Sequence, residues 1–99
     1  MALDNDFELK EDIQIKFPKK YKVFILNDDY TSMDFVVDIL MNVFRKSYEE
    51  AEAIMLEVHK KDQGLCGVYS HEIAQTKVTQ VTTKAKDNGF PLKATMEKE

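Results

Sequence analysis

The chain has 99 residues, with 14 Lys or Arg against 18 Asp or Glu for a formal net charge of -4; 43% are hydrophobic and 32% charged. One domain of this size buries roughly 60–70% of the surface its unfolded chain exposes, which makes a thin core and argues against a deep, multi-part active site. The acidic balance argues against non-specific binding to nucleic acid or an anionic membrane, and is compatible with a cationic ligand. Cys66 is the single cysteine, so no internal disulfide forms, and a zinc site would need several clustered ligands. Met1–Lys10 lacks the basic start and apolar run of a secretory leader, and no apolar stretch approaches the roughly 20 residues that span a bilayer. A small cytoplasmic domain without disulfides is expected.

Residues 1–17 mix acids with isolated apolar residues in neither a helical nor a strand period, and Pro18 closes them. They are expected to form a flexible N-terminal arm, with the folded domain spanning 18–99. Tyr21–Leu26 is almost continuously apolar and β-rich, and predicts a central, buried strand. It stops at Asn27-Asp28-Asp29, residues whose side chains favour turns. Thr31 with Asp34 resembles a capping box. Behind it Met33, Val36, Val37, Leu40, Met41 and Phe44 recur at steps of three and four, which makes one apolar helical face. Ser47 with Glu50 is a stronger capping box and opens a second helix, with Ala51, Ile54, Met55 and Val58 inward and His59 in the last turn. The short linker makes these helices antiparallel neighbours.

Asp62 to Gly67 is expected to turn the chain, and Leu65 to Tyr69 to form a short strand. Ser70 caps a third helix with Ile73, Ala74, Val78, Val81 and Ala85 on one side, stopped by Asn88-Gly89. Leu92 to Met96, after Pro91, fits an edge strand. The fold class is therefore α+β: a small three-stranded antiparallel sheet with three helices packed on one face, in the order β-α-α-β-α-β.

Four chemistries compete for the polar residues. Catalysis has His59, His71, Cys66 and carboxylates to draw on, but no nucleophile signature, and Cys66 lies in an apolar strand where a cysteine serves as a small hydrophobe. A metal site could gather Asp28, Asp29 and His59, without any H-x-x-x-H or C-x-x-C spacing to support it. This leaves a small metal-dependent hydrolase using Asp28 and His59 as the alternative function. Nucleic-acid binding finds only the Lys19, Lys20 and Lys22 set, next to an acidic arm and with no Gly-rich phosphate loop. The fourth reading is a module that binds a protein terminus. Asn27, Asp28 and Asp29 stand at a strand exit, and His59 shares a helix face with Met55 and Val58. A carboxylate, a carboxamide and a neutral imidazole all accept hydrogen bonds from an ammonium group, while apolar neighbours could hold a large side chain.

Three stretches in order sharpen that reading: Val23 to Leu40 (VFILNDDYTSMDFVVDIL), Ala53 to His59 (AIMLEVH) and Cys66 to Val78 (CGVYSHEIAQTKV), followed by Gly89-Phe-Pro-Leu92. Together, from Tyr21 to the C-terminus, they resemble the ClpS adaptor family, and several motifs in register are more specific than one. The resemblance implies a non-enzymatic adaptor without cofactor or metal. Such an adaptor binds N-degrons, proteins beginning with Leu, Phe, Tyr or Trp, and delivers them to a ClpA- or ClpC-type AAA+ unfoldase for degradation by ClpP. By position, Asn27, Asp28 and His59 would contact the α-amine and first peptide unit. Asp29, Thr31, Met33, Val36, Ile39, Met55, Val58 and Leu92 would line the pocket for the first side chain, with Met33 as the gatekeeper against β-branched residues. Glu72 and Lys77 would dock on the unfoldase N-terminal domain, and residues 1–17 would be offered to its pore. The adaptor is expected to be a monomer that engages neither nucleic acid nor membrane. Two positions depart from the family pattern: Ser32 replaces a proline, and Asp62 stands where a glycine ends the helix, a task expected to fall to Gly64.

Overall fold

The computed structural model describes residues 18–99; the expected arm, residues 1–17, lies outside the described residues. The element order is β1 (Lys20–Leu26), α1 (Met33–Asn42), α2 (Tyr48–Lys61), β2 (Gln63–Ser70), α3 (His71–Asp87) and β3 (Lys93–Lys98), the expected β-α-α-β-α-β. The strands form one antiparallel sheet ordered β2-β1-β3. The continuously apolar strand is thus the central one, with both edges paired. Its Val23 and Ile25 are fully buried under the helices, while Lys22, Phe24 and Leu26 alternate onto the opposite face and are half-buried.

Helices cover one face. α3 lies across all three strands, α2 packs on β2, and α1 packs on α2. The core joins Val23 and Ile25 to Val36, Ile39 and Leu40 of α1, Ala51 and Val58 of α2, Cys66 of β2 and Ala74, Val81 and Ala85 of α3. No polar or charged residue is buried among the described residues. A thin core of this kind is held by apolar area, at roughly 25 cal/mol per Å².

Several local details differ from the sequence reading, each for a physical reason. Ile73, expected inward, is 51% exposed. The buried stripe of α3 runs Ala74, Val81, Ala85, and Ile73 lies one residue, about 100° of helix, off it. Met41 also faces solvent, because Leu40 and Ile39 already fill the contact with the core. β2 starts at Gln63 instead of following a long turn, since the reversal after α2 is made by Asp62 alone, at φ 70. Asp tolerates the left-handed region better than most residues, so Gly64 is not the helix stop. Gly64 is needed for another reason. A Cβ there would meet the Val58 methyl at 2.7 Å and the Ile54 carbonyl at 3.2 Å, so its absence lets β2 lie tight against α2. The β1–β2 register shifts between Val23 and Phe24, which makes Cys66 the extra residue; it is buried, on the same face as Gly64 two residues before it.

The end of α3 sets the entry to β3. Phe90 donates its N–H to the Ala85 carbonyl (2.8 Å) and Gly89, at φ 75, to Lys86 (3.1 Å), the bonding of a Schellman stop. The Phe90 ring then lies 4.8 Å from that of Phe35, tying this corner to the first turn of α1.

Candidate functional site

The chain leaves β1 through Asn27–Ser32, and its conformation is set almost wholly by Asp28. Oδ1 accepts the N–H groups of Tyr30 (2.8 Å) and Thr31 (2.7 Å), and Oδ2 accepts the Thr31 hydroxyl (2.7 Å). Burial pushes the Asp28 carboxyl up, but these three bonds outweigh it and hold the group below the ordinary carboxylate value. It is therefore ionised throughout the neutral range, with lone-pair capacity left on Oδ2. The expected Thr31–Asp34 capping box does not form, because the helix starts at Met33, one residue later than that box requires, and the Thr31 N–H goes to Asp28. Ser32 is the cap of α1 instead, its Oγ accepting the Phe35 N–H at 3.1 Å.

A second brace ties this loop to the far end of α2. The Asn27 N–H donates to the Asp62 carbonyl at 2.8 Å, and Asp62 is the left-handed residue that ends the helix carrying His59. At its other end α2 has the expected full capping box: Ser47 Oγ accepts the Glu50 N–H (3.2 Å) and Glu50 accepts the Ser47 N–H (3.0 Å). The helix is thus fixed at both ends, and His59 is delivered to the loop by rigid backbone.

Between them lies a concavity of about 280 Å³. Its polar rim is Asn27, Asp28, Asp29, Thr31 and His59, and its apolar wall is Met33, Val36, Met55 and Val58. Met33 stands at the mouth, 48% exposed, while Val36 and Val58 reach back into the core. Of the residues expected here, two do not line it. Ile39 and Leu92 are 0% and 2% exposed and belong to the core cluster that Val36 and Val58 also join. Glu72 and Lys77 lie apart on α3. Glu72 is exposed in its first turn, whereas the Lys77 ammonium donates to the Val43 carbonyl (2.7 Å) and lies 5.8 Å from the Tyr69 ring centroid.

A second concavity, missed in the sequence, adjoins the same loop. Leu26, Tyr30, Pro91 and Lys93 line it together with Asn27, Asp28 and Asp29. The available signal was Tyr30, a large ring within a polar turn.

Among the described residues neither catalytic reading finds a site. Cys66 is buried with its Sγ 3.7 Å from the Gly64 carbonyl, and burial pushes its thiol up to about 12, so no thiolate is available near neutrality. Among the described residues no group of three or more His, Cys, Asp or Glu could hold a metal ion, so Asp28 and His59 have no third ligand. What the rim can do is accept hydrogen bonds from a cation beside an apolar slot. Among the described residues no helix is long and apolar enough to cross a membrane.

Comparison with known proteins decides the family. Residues 16–95 match the model of the ATP-dependent Clp protease adaptor protein ClpS. The chain belongs to the ClpS family. It is 48% identical over 99 residues to the ATP-dependent Clp protease adapter protein ClpS of Wolinella succinogenes, covering 98% of this chain and 97% of the relative. The ClpS of Oleidesulfovibrio alaskensis is 52% identical over 94 residues, covering 95% and 88%. Among solved structures, Agrobacterium tumefaciens ClpS2 bound to L-phenylalaninamide superposes with a TM-score of 0.81 at 41% identity, over 84% of this chain and 100% of that one. ClpS proteins are adapters of the Clp protease and not enzymes, which sets aside the metal-dependent hydrolase. As an adaptor the chain works with a Clp AAA+ chaperone and its substrates.

Proposed function

We propose that this adaptor recognises proteins beginning with Leu, Phe, Tyr or Trp and delivers them to a ClpA- or ClpC-type unfoldase in the cytoplasm for degradation by ClpP. The observation that carries the reading is the single concavity in which Asn27, Asp28 and His59 face an apolar wall of Met33, Val36, Met55 and Val58. An N-terminal ammonium needs acceptors, and the rim offers an ionised carboxylate, a carboxamide and an imidazole; each charge-assisted bond contributes about 1.5–3 kcal/mol before desolvation. The apolar wall adds roughly 1.5–3 kcal/mol for a fully buried Leu or Phe side chain. At about 280 Å³ the concavity suits one side chain, since pockets for drug-sized ligands begin at roughly 300 Å³. The ligand of the Agrobacterium ClpS2 structure joins the two features in one small molecule, a free α-amine on a Phe side chain. Acetylation of the terminus would remove the charge and add bulk at the rim.

Within this reading Asp28 has two tasks, bracing the loop and presenting charge, and Met33 at the mouth restricts entry to unbranched Cβ atoms. Ile39 and Leu92 support the wall from behind. Docking on the unfoldase N-terminal domain falls to the start of α3, where Glu72 is exposed beside Ile73, 51% exposed; an apolar residue flanked by charge is the composition of a small protein contact. Lys77 can take part with the two ammonium N–H groups that its bond to Val43 leaves over. The adaptor acts as a monomer.

Fluorescence anisotropy with peptides beginning Leu, Ala and acetyl-Leu tests the reading. Binding of the free Leu peptide alone is expected, and equal binding of all three would sink it.

A further inference from the structure

The second concavity, about 390 Å³, has an apolar lining of Leu26, Tyr30 and Pro91 with Lys93 at its rim. Leu26 is on the sheet face that the helices leave open and is paired in register with Lys93, so the groove is the end of that open face. Tyr30 is 80% exposed; its N–H is held by Asp28, which fixes the backbone beneath the ring. Asn27, Asp28 and Asp29 line both concavities, so they are separated by a wall one chain thick.

We propose that this groove receives the substrate chain beyond its first residue and seats an apolar side chain from its third or fourth residue. The inference rests on the reading of the amine site. A chain anchored by its α-amine at Asn27 and Asp28 has its first side chain in one concavity and must leave over the loop. An extended chain advances about 3.3–3.6 Å per residue, and backbone layers packed through their side chains stand about 10 Å apart. Three residues therefore cross the wall. The occupant is the substrate because the groove is continuous with its anchoring site through three shared residues. The floor favours an apolar side chain, and Asp28 and Asp29 against Lys93 leave a small negative excess at the edge.

Anisotropy with three peptides, beginning Leu-Gly-Phe-Phe, Leu-Gly-Gly-Gly and Ala-Gly-Phe-Phe, tests it. The first is expected to bind about three- to tenfold more tightly than the second, the range for partial burial of an aromatic side chain. Tyr30→Ala, and Pro91→Ala as a second variant, should bring that ratio towards one while the preference for Leu over Ala at the first residue persists. Equal affinity for the two Leu peptides with the Leu-over-Ala preference intact overturns this inference alone. Absence of that preference in the unaltered protein overturns the reading of the amine site. An acetylated Leu-Gly-Phe-Phe peptide that binds as well as the free one would assign the groove to another partner and overturn the proposal.

Discussion

The candidate site and the core behind it share Val36 and Val58, yet they are held by different forces. Among the described residues no polar or charged side chain is buried, and the core depends on close packing. The rim depends on short, mostly local bonds: Asp28 to Tyr30 and Thr31, Ser32 to Phe35, and Asn27 to Asp62. Binding groups can therefore be altered without unfolding the domain, and core groups act first on stability, reaching the site through Val36 and Val58. A chain with so little interior builds specificity where its elements end, because strand and helix termini expose backbone and side-chain polarity together.

Changes on the core side should have the largest effect on stability. Ile39→Ala removes a fully buried side chain beneath the wall and should cost about 2–5 kcal/mol in denaturant unfolding. Its binding, measured on the fraction that stays folded, should weaken less than that of any rim variant; the reverse order would dissolve the distinction. His59→Ala is the counterpart on the exposed side. Titration should show about a tenfold or greater loss of affinity for a Leu-initiated peptide, with the melting temperature unchanged. Unaltered affinity would take the imidazole out of the site.

Gly64→Ala tests the seam between the two regions. Its Cβ would stand 2.7 Å from the Val58 methyl, so overpacking of about 1–3 kcal/mol is expected. Because Val58 lines the concavity, peptide affinity should fall in the same variant. Loss of stability with intact affinity would show that α2 yields without disturbing the wall.

Asp28 gives the smallest effect, in its acid titration. Its folded-state value lies below the ordinary one, so its contribution is complete above the unfolded carboxyl value of about 3.9 and is lost as pH falls through the lower folded value. Carboxyl chemical shifts should show Asp28 titrating below that reference, and Thr31→Val should move it back up by removing one of the three bonds. A midpoint at the reference in the unaltered protein would mean that the loop bonds do not persist in solution.

The element order and the sheet class were readable because each element carries its own pattern: an unbroken apolar strand, steps of three and four in the helices, and Ser at the start of α2 and α3. Nine of the residues expected at the site do line the concavity. Their co-location was expected from the resemblance; strand-exit carboxylates and a helix-terminal histidine do not by themselves announce that they meet. Details that depend on contacts distant in sequence were not readable. Asp62 takes the left-handed turn that glycine was expected to supply, and its carbonyl then receives Asn27, a bond across 35 positions of chain (62 minus 27). Thr31 donates both its hydroxyl and its N–H to Asp28, and the helix starts one residue later than expected, with Ser32 as its cap. Ile39 and Leu92 sit behind the wall and not in it, a matter of depth that periodicity does not encode.

The central claim is that one concavity reads a free amine and an apolar side chain together, and calorimetric titration with a peptide beginning Leu and its acetylated twin tests it most directly. Binding of the free peptide, with no detectable heat from the acetylated one, is the expected result; equal affinity for the two would contradict it.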